Sequence, residues 1–99
     1  MSRKPRINPL KEIRELVAAN RYRLVPHAIA RKIERSVALR DILFVLNHGF
    51  HETSQDGFDI KRQSDRYAIR GKTPDGIDIR IAVAIDNMVV IITVIKLGK

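Results

Sequence analysis

The sequence predicts an α+β fold in which N-terminal helices pack on one antiparallel β-sheet. Apolar residues recur with helical period as far as about residue 48, and they alternate with period 2 after Gly49. The 99 residues, of which 44% are hydrophobic, suffice for one modest core. We therefore expect a single domain over residues 1–99, with residues 1–7 as a basic flexible N-terminus.

Three helices are predicted before the strands begin. Asn8 is a favourable N-cap for the first, and Pro26 is a favourable opening residue for the second. Ile29 and Ile33 of the second helix are expected to face the core. Gly49 suits the position that follows the third helix. The predicted helices are Pro9–Ala19, His27–Arg35 and Leu39–His48.

Strands are predicted wherever branched aliphatic residues alternate with polar or small ones. The first is expected at a sheet edge, and the last, which is apolar on both faces, at the centre of the sheet. Residues 58–65 are polar and are expected to form a loop. Turns are predicted at Gln55–Gly57, Thr73–Gly76 and Asp86–Asn87. The predicted strands are Tyr22–Val25, Phe50–Ser54, Arg66–Lys72, Ile77–Ile85 and Met88–Lys96.

The charge of the chain is strongly asymmetric. The formal net charge is +8, and residues 1–40 hold eleven basic side chains and three acidic ones, whereas residues 41–99 hold eight of each. Such one-sided basic charge is typical of a protein that binds a polyanion, although a merely soluble basic surface is the alternative. The absence of Cys excludes disulfide and thiol chemistry. The longest apolar run, Met88–Ile95, is too short to span a membrane, so we expect a cytoplasmic protein without membrane association.

His27, Arg31 and Arg35 are spaced four residues apart and would lie along one stripe of the second helix. An imidazole can transfer a proton, and guanidinium groups can hold phosphate oxygens in pairs. A solvated basic helix face with a surface histidine explains the same spacing equally well.

Four further candidates lie on predicted strands, namely Tyr67, Arg70, Arg80 and Thr93. The two arginines have the strand parity expected for a polar sheet face, and Thr93 interrupts an aliphatic strand. The three His residues show no metal-ligand spacing, so we predict neither a metal nor another cofactor.

Several short motifs resemble those of a widespread family of small bacterial domains of unknown function. The layout is also similar to the RelE-, BrnT- and MqsR-like toxins, whose helices pack on an antiparallel sheet. The similarity spans about residues 10–96. The motifs are His27-Ala28-x-x-Arg31-x-x-x-Arg35-x-Val37, Ile42-x-x-Val45-Leu46-x-x-Gly49, Tyr67-x-x-x-Gly71, Gly76-x-x-Ile79-x-Ile81-x-Val83 and Ile92-Thr93-Val94.

The resemblance implies a metal-independent endoribonuclease of a toxin–antitoxin pair, with a RelE-like or barnase-like fold. It assigns catalysis to His27, Arg31, Arg35 and Thr93, and RNA binding to Tyr67, Arg70 and Arg80. Ile95 stands where the family often has an aromatic residue, so this position lacks the stacking or proton-relay group of those relatives. The alternative is a basic module that binds nucleic acid or a partner without catalysis. RNA and an antitoxin protein are the expected partners, and an exposed sheet edge would permit a homodimer.

Overall fold

The computed structural model describes residues 6–98 and has an α+β architecture. Two helices, α1 and α2, flank a short first strand, and a third helix, α3, precedes the remaining strands. No helix within residues 6–98 is long and apolar enough to cross a membrane. The elements are α1 (Pro9–Ala18), β1 (Tyr22–Leu24), α2 (Pro26–Glu34), α3 (Leu39–His48), β2 (Phe50–His51), a 3-10 turn (Thr53–Gln55), β3 (Gly57–Asp59), β4 (Ser64–Lys72), β5 (Asp78–Ile85) and β6 (Val89–Lys96).

The sheet is mixed rather than wholly antiparallel. Its strand order is β1-β6-β5-β4-β2, and β3 also pairs with β4. The three long strands form the predicted antiparallel meander, while β1 runs parallel to β6 at the sheet edge. The chain path permits a parallel pair, because β1 and β6 are separated by the helices and the other strands and are not joined by a tight hairpin.

The register of the meander separates two chemically different faces. Ile69 pairs with Ile81 and Tyr67 pairs with Val83 on the face that α3 covers. This helix-covered face supplies most of the fully buried side chains of the core. Arg70 pairs with Arg80 on the opposite face, which we call the polar face of the sheet.

A β-bulge in β6 decides which face receives Thr93. Val83 pairs with Ile91, but Ala82 pairs with Thr93, so Ile92 is an extra residue on β6. Without the extra residue, Thr93 would lie opposite Ile81 on the helix-covered face. The bulge therefore turns Thr93 to the polar face and lets Val94 fill the core, where it is fully buried.

Polar groups fix the ends of α1 and α3. The Asn8 side chain accepts a hydrogen bond from the Lys11 backbone N–H at 3.1 Å, which confirms the predicted N-cap. Arg14 of α1 donates to the carbonyls of Leu46 and Gly49, at 3.1 and 2.6 Å. This arginine satisfies carbonyls at the end of α3 and joins the two helices.

The orientation predicted for α2 is wrong. Ile29 and Ile33, expected in the core, are 43% and 67% exposed, and the fully buried residue of the helix is Ala28. α2 packs along β6, and the small side chain of Ala28 suits a close approach. The half-buried Arg31 and Lys32 flank Ala28, where their aliphatic stems can cover apolar surface while their charged ends reach water.

The segment after α3 also differs from the prediction. The expected strand Phe50–Ser54 stops at His51 and continues into the 3-10 turn, because the Asp56 side chain accepts a hydrogen bond from the Ala68 backbone N–H. The expected loop over 58–65 contains β3 and the start of β4, which form a hairpin. Asp59 closes that hairpin by accepting a hydrogen bond from the Arg62 backbone N–H at 3.1 Å.

Two further predictions concern the turn before β5 and the basic N-terminal segment. The turn at Thr73–Gly76 is confirmed, with Gly76 at a φ of +83°. Of the basic N-terminal segment 1–7, residues 1–5 lie outside the described residues. Arg6 is anchored, since it hydrogen bonds Glu12 and the Ile85 carbonyl.

We predict that Gly49→Ala destabilises the fold by about 2 kcal/mol, because the new methyl group would force the backbone apart. A Cβ at Gly49 would lie 2.4 Å from the Arg70 carbonyl oxygen and 2.7 Å from that of Val45. Its φ of −79° is ordinary, so close approach and not a left-handed conformation explains the glycine. Urea unfolding measures the effect, with Gly98→Ala as the control, since a Cβ there would only meet the Asp78 Cβ at an ordinary contact distance of 3.8 Å. Equal stabilities of the two variants would contradict the explanation.

Candidate functional site on the polar face of the sheet

The structure places the predicted stripe of α2 at the edge of the sheet. His27 lies in the first turn of the helix with an exposed side chain. Arg31 lies one turn further along the helix and forms an ion pair with Glu34, while Arg35 is the C-cap residue. Arg35 Nη1 is buried and makes no hydrogen bond with a described residue, and its nearest carboxylate oxygen, on Glu34, is 3.8 Å away. The helix therefore presents one exposed imidazole, one paired guanidinium and one partly buried guanidinium.

A different group of charged residues meets on the polar face. Arg70 and Arg80 are cross-strand neighbours, and the Glu52 carboxylate bridges their like charges. Arg80 Nε donates to Glu52 Oε1 at 2.5 Å, and Arg70 Nη1 donates to Glu52 Oε2 at 3.0 Å. Arg70 also holds Asp78 through two bonds, from Nε at 3.2 Å and from Nη2 at 2.8 Å. We call Glu52, Arg70, Asp78 and Arg80 the polar cluster.

The polar cluster holds its carboxylates in the ionised form. The hydrogen bond from Arg80 is the largest cause that lowers the pKa of Glu52, and the bond from Arg70 adds to it. The bond from Arg70 likewise lowers the pKa of Asp78. In return, Asp78 and then Glu52 raise the pKa of Arg70. At neutral pH the cluster is thus two carboxylates and two guanidinium groups with no net charge.

The two arginines differ in the donors that they have left. Arg70 uses Nε and both terminal nitrogens on carboxylates. Arg80 uses only Nε, and its two terminal nitrogens make no hydrogen bond with any residue from 6 to 98. Since a guanidinium carries five N–H donors, Arg80 can bind an anion beside the Glu52 carboxylate without breaking their contact.

Small side chains lie beside the polar cluster. The Glu52 backbone N–H bonds the Ala68 carbonyl, Ala68 pairs with Ala82, and Ala82 pairs with Thr93. One row across the sheet therefore runs from a carboxylate over two alanines to a hydroxyl. At roughly 4.8 Å per strand, this row spans about 14 Å. Both alanines are buried, at 2% and 8% exposure.

Tyr67 is not part of this arrangement. It lies on the helix-covered face, is 8% exposed, and meets the His51 ring edge-on at 5.8 Å between centroids. Burial raises the pKa of its phenol, and the Asp65 carboxylate adds to the effect. The structure thus brings Arg70, Arg80 and Thr93 to one face of the sheet and keeps Tyr67 on the other.

Sequence reasoning missed Glu52 and Asp78. Glu52 follows a strand of only two residues, so it shows no alternation that would mark its face. Asp78 does alternate with Arg80, and that pattern indicates the polar face without revealing the ion pair. Among residues 6–98, no group of three or more His, Cys, Asp or Glu side chains could hold a metal ion.

Comparison with known proteins gives a family match but indicates no activity. Residues 24–96 match a family model that is described as a domain of unknown function, DUF4258. The match includes α2, α3, all six strands except Tyr22 and Arg23 of β1, and the polar cluster. No curated protein and no solved structure gives a significant match.

We predict that the fold loses stability as the pH falls below the ordinary glutamate pKa of 4.5, since the pKa values of Glu52 and Asp78 are lowered in the folded state. A carboxylate with a lowered folded pKa contributes its full stability above the unfolded pKa, and the contribution disappears as the pH falls through the folded one. Glu52→Gln should therefore show a smaller loss between about pH 5 and about pH 3 than the parent.

Urea unfolding at a series of pH values measures this loss. Glu15→Gln is the control, because the exposed Glu15 side chain forms no ion pair with another described residue. A Glu52→Gln variant with the same pH dependence as the parent would contradict the assignment.

Proposed function

The chain belongs to the DUF4258 family, and from that premise we propose that it is a metal-independent endoribonuclease whose reaction takes place at the polar cluster. One observation carries the proposal. The ionised Glu52 carboxylate is held by two arginines, and one of them, Arg80, keeps its terminal nitrogens available for a phosphate.

This arrangement suits cleavage of RNA because RNA carries its own nucleophile, the 2′-hydroxyl. Glu52 takes the proton of that hydroxyl while the 2′-oxygen attacks the phosphorus. The bond to the 5′-oxygen breaks, that oxygen takes a proton from water, and a 2′,3′-cyclic phosphate forms. Arg80 offsets the negative charge that develops on the phosphate oxygens.

Arg70 has a positioning role in this proposal. Its bonds to Asp78 use the fork of the guanidinium, and its remaining terminal nitrogen orients Glu52. Thr93 lies at the far end of the row of alanines, where its hydroxyl can bond the RNA backbone.

Attraction of RNA to the site requires charge from outside the neutral polar cluster. Arg23, Arg66 and Lys72 share the strand parity of the polar face and form no ion pair with a described residue. α2 adds His27 and further cations at the sheet edge. These groups supply the salt-dependent part of RNA binding, which phosphate contacts dominate.

The catalytic assignment of His27, Arg31 and Arg35 stays a competing prediction. The exposed His27 near the helix start favours it, since an anion is stabilised there. The alternative of a basic module without catalysis, and an antitoxin or a second copy as partner, also stay predictions.

We predict that Glu52→Gln lowers RNA cleavage by roughly 10²-fold or more, because glutamine keeps the shape but cannot accept the proton. Cleavage of a fluorescent oligoribonucleotide measures the rate, and mass analysis of the products should find 2′,3′-cyclic ends. Glu12→Gln is the matched control, because Glu12 is likewise paired with an arginine, Arg6, but lies on α1. If the folded Glu52→Gln variant cleaves RNA at the rate of the parent, the assignment of catalysis to the polar cluster is wrong.

We predict that His27→Ala lowers cleavage less than tenfold if the polar cluster is the reaction centre, since the imidazole is then only one of several cations near the RNA. The same assay and a growth-inhibition test check this. If His27→Ala lowers the rate of RNA cleavage by roughly 10²-fold while Glu52→Gln remains active, the catalytic residues lie on α2 instead. If the parent binds RNA in a salt-dependent manner but never cleaves it, the protein is a binding module.

A further inference from the structure

A pocket of about 340 Å³ lies on the polar face, beyond the row of alanines as seen from Arg80. Ala84 and Val90 are cross-strand neighbours in its wall, and Arg23 is paired with Val90 on the next strand. The hairpin between β3 and β4 supplies the remaining side. The lining residues are Arg23, Arg62, Gln63, Ser64, Ala84, Ile85, Asp86 and Val90.

Two polar groups in the lining lack a partner among residues 6–98. The Ser64 hydroxyl oxygen is buried and makes no hydrogen bond with any described residue. A buried hydroxyl without a partner costs stability, so native structures rarely keep one without a reason. The exposed Arg23 forms no ion pair within residues 6–98. Arg62 is paired with Asp59 through a single terminal nitrogen, at 2.9 Å.

We propose that this pocket binds one nucleoside monophosphate unit. Arg23 and Arg62 would hold the phosphate, because guanidinium groups bind phosphate oxygens in pairs. Ala84 and Val90, which are themselves almost fully buried, form the wall of the pocket against which the base would lie. Ser64 supplies a hydroxyl, and Asp86 supplies an acceptor for base N–H groups, which a bare anion would not need.

The size and the position of the pocket agree with this ligand. Pockets for small organic ligands have volumes of roughly 300–1,000 Å³, and this pocket lies at the lower end of that range. Ala84 is four residues from Arg80 on the same strand and the same face, which corresponds to roughly 13 Å. In this respect the inference rests on the proposed function, since the pocket would hold a nucleotide near the one that is cleaved.

The test measures mononucleotide binding and does not depend on cleavage. Adenosine 5′-monophosphate is titrated into the ¹⁵N-labelled full chain, and amide shifts are followed by NMR. Adenosine and inorganic phosphate are titrated separately. We expect shifts around Arg23, Ser64 and Ala84, and weaker binding of either half of the nucleotide.

Three variants locate the site. Arg23→Ala should weaken binding about tenfold, as expected for the loss of a hydrogen bond to a charged group. Arg21→Ala removes the same charge two residues away, outside the lining, and should change binding less than about twofold. Ser64→Ala should weaken binding about fivefold without lowering the melting temperature, because it removes an unpartnered hydroxyl.

The outcomes separate this inference from the proposed function. If Glu52→Gln loses cleavage and still binds the nucleotide like the parent, both stand. If the chain never cleaves RNA but binds the nucleotide as described, the pocket stands alone. Absence of nucleotide binding, equal effects of Arg21→Ala and Arg23→Ala, or inorganic phosphate binding as tightly as the nucleotide would overturn the pocket assignment.

Discussion

The register of β4 on β5 is the constraint on which both the core and the candidate site depend. It places Ile69 opposite Ile81 beneath α3 and, one residue later, Arg70 opposite Arg80 on the other face. A slip of one residue would move two guanidinium groups into the core and expose the aliphatic side chains. The same register sets two like charges side by side; the Glu52 carboxylate bridges them, and Asp78 neutralises Arg70 further. The polar cluster is therefore a consequence of the pairing that builds the core.

The sequence allowed the prediction of features that local patterns control. Helices α1 and α3 and strands β5 and β6 follow from period, caps and turns, and they agree with the structure to within about two residues. The features that the sequence did not predict depend on contacts between residues that are distant in the chain. Glu52 reaches Arg80 across twenty-eight positions from a strand too short to show alternation. The predicted orientation of α2 is wrong, because Ile29 and Ile33 suggest a core-facing stripe. In the structure α2 packs on β6 and buries Ala28 instead.

The bulge at Ile92 determines on which face of the sheet Thr93 lies. In an unbroken strand, Thr93 would share a face with Ile91 and would be a polar defect in the core. Because β6 contains one extra residue, Thr93 instead shares a row with Ala82 and Ala68, and Val94 takes the core position. The sequence displays a threonine within an aliphatic strand, but the face of that threonine depends on pairing with a second strand. Bulges commonly redirect side chains in this way beside functional sites.

The distribution of charge indicates that attraction and chemistry are separated in this molecule. All of the net charge belongs to residues 1–40, yet the polar cluster lies on later elements and is neutral. A neutral cluster of paired ions exerts little force at the distances over which a polyanion is drawn to a surface, whereas unpaired cations do. The cations of β1 and α2 are therefore suited to collecting RNA, and the ion pairs are suited to holding one carboxylate in a fixed position and ionised. Added salt should then weaken the association of RNA while leaving the geometry of Glu52 and its two arginines intact, because partly buried pairs are screened less than exposed charges.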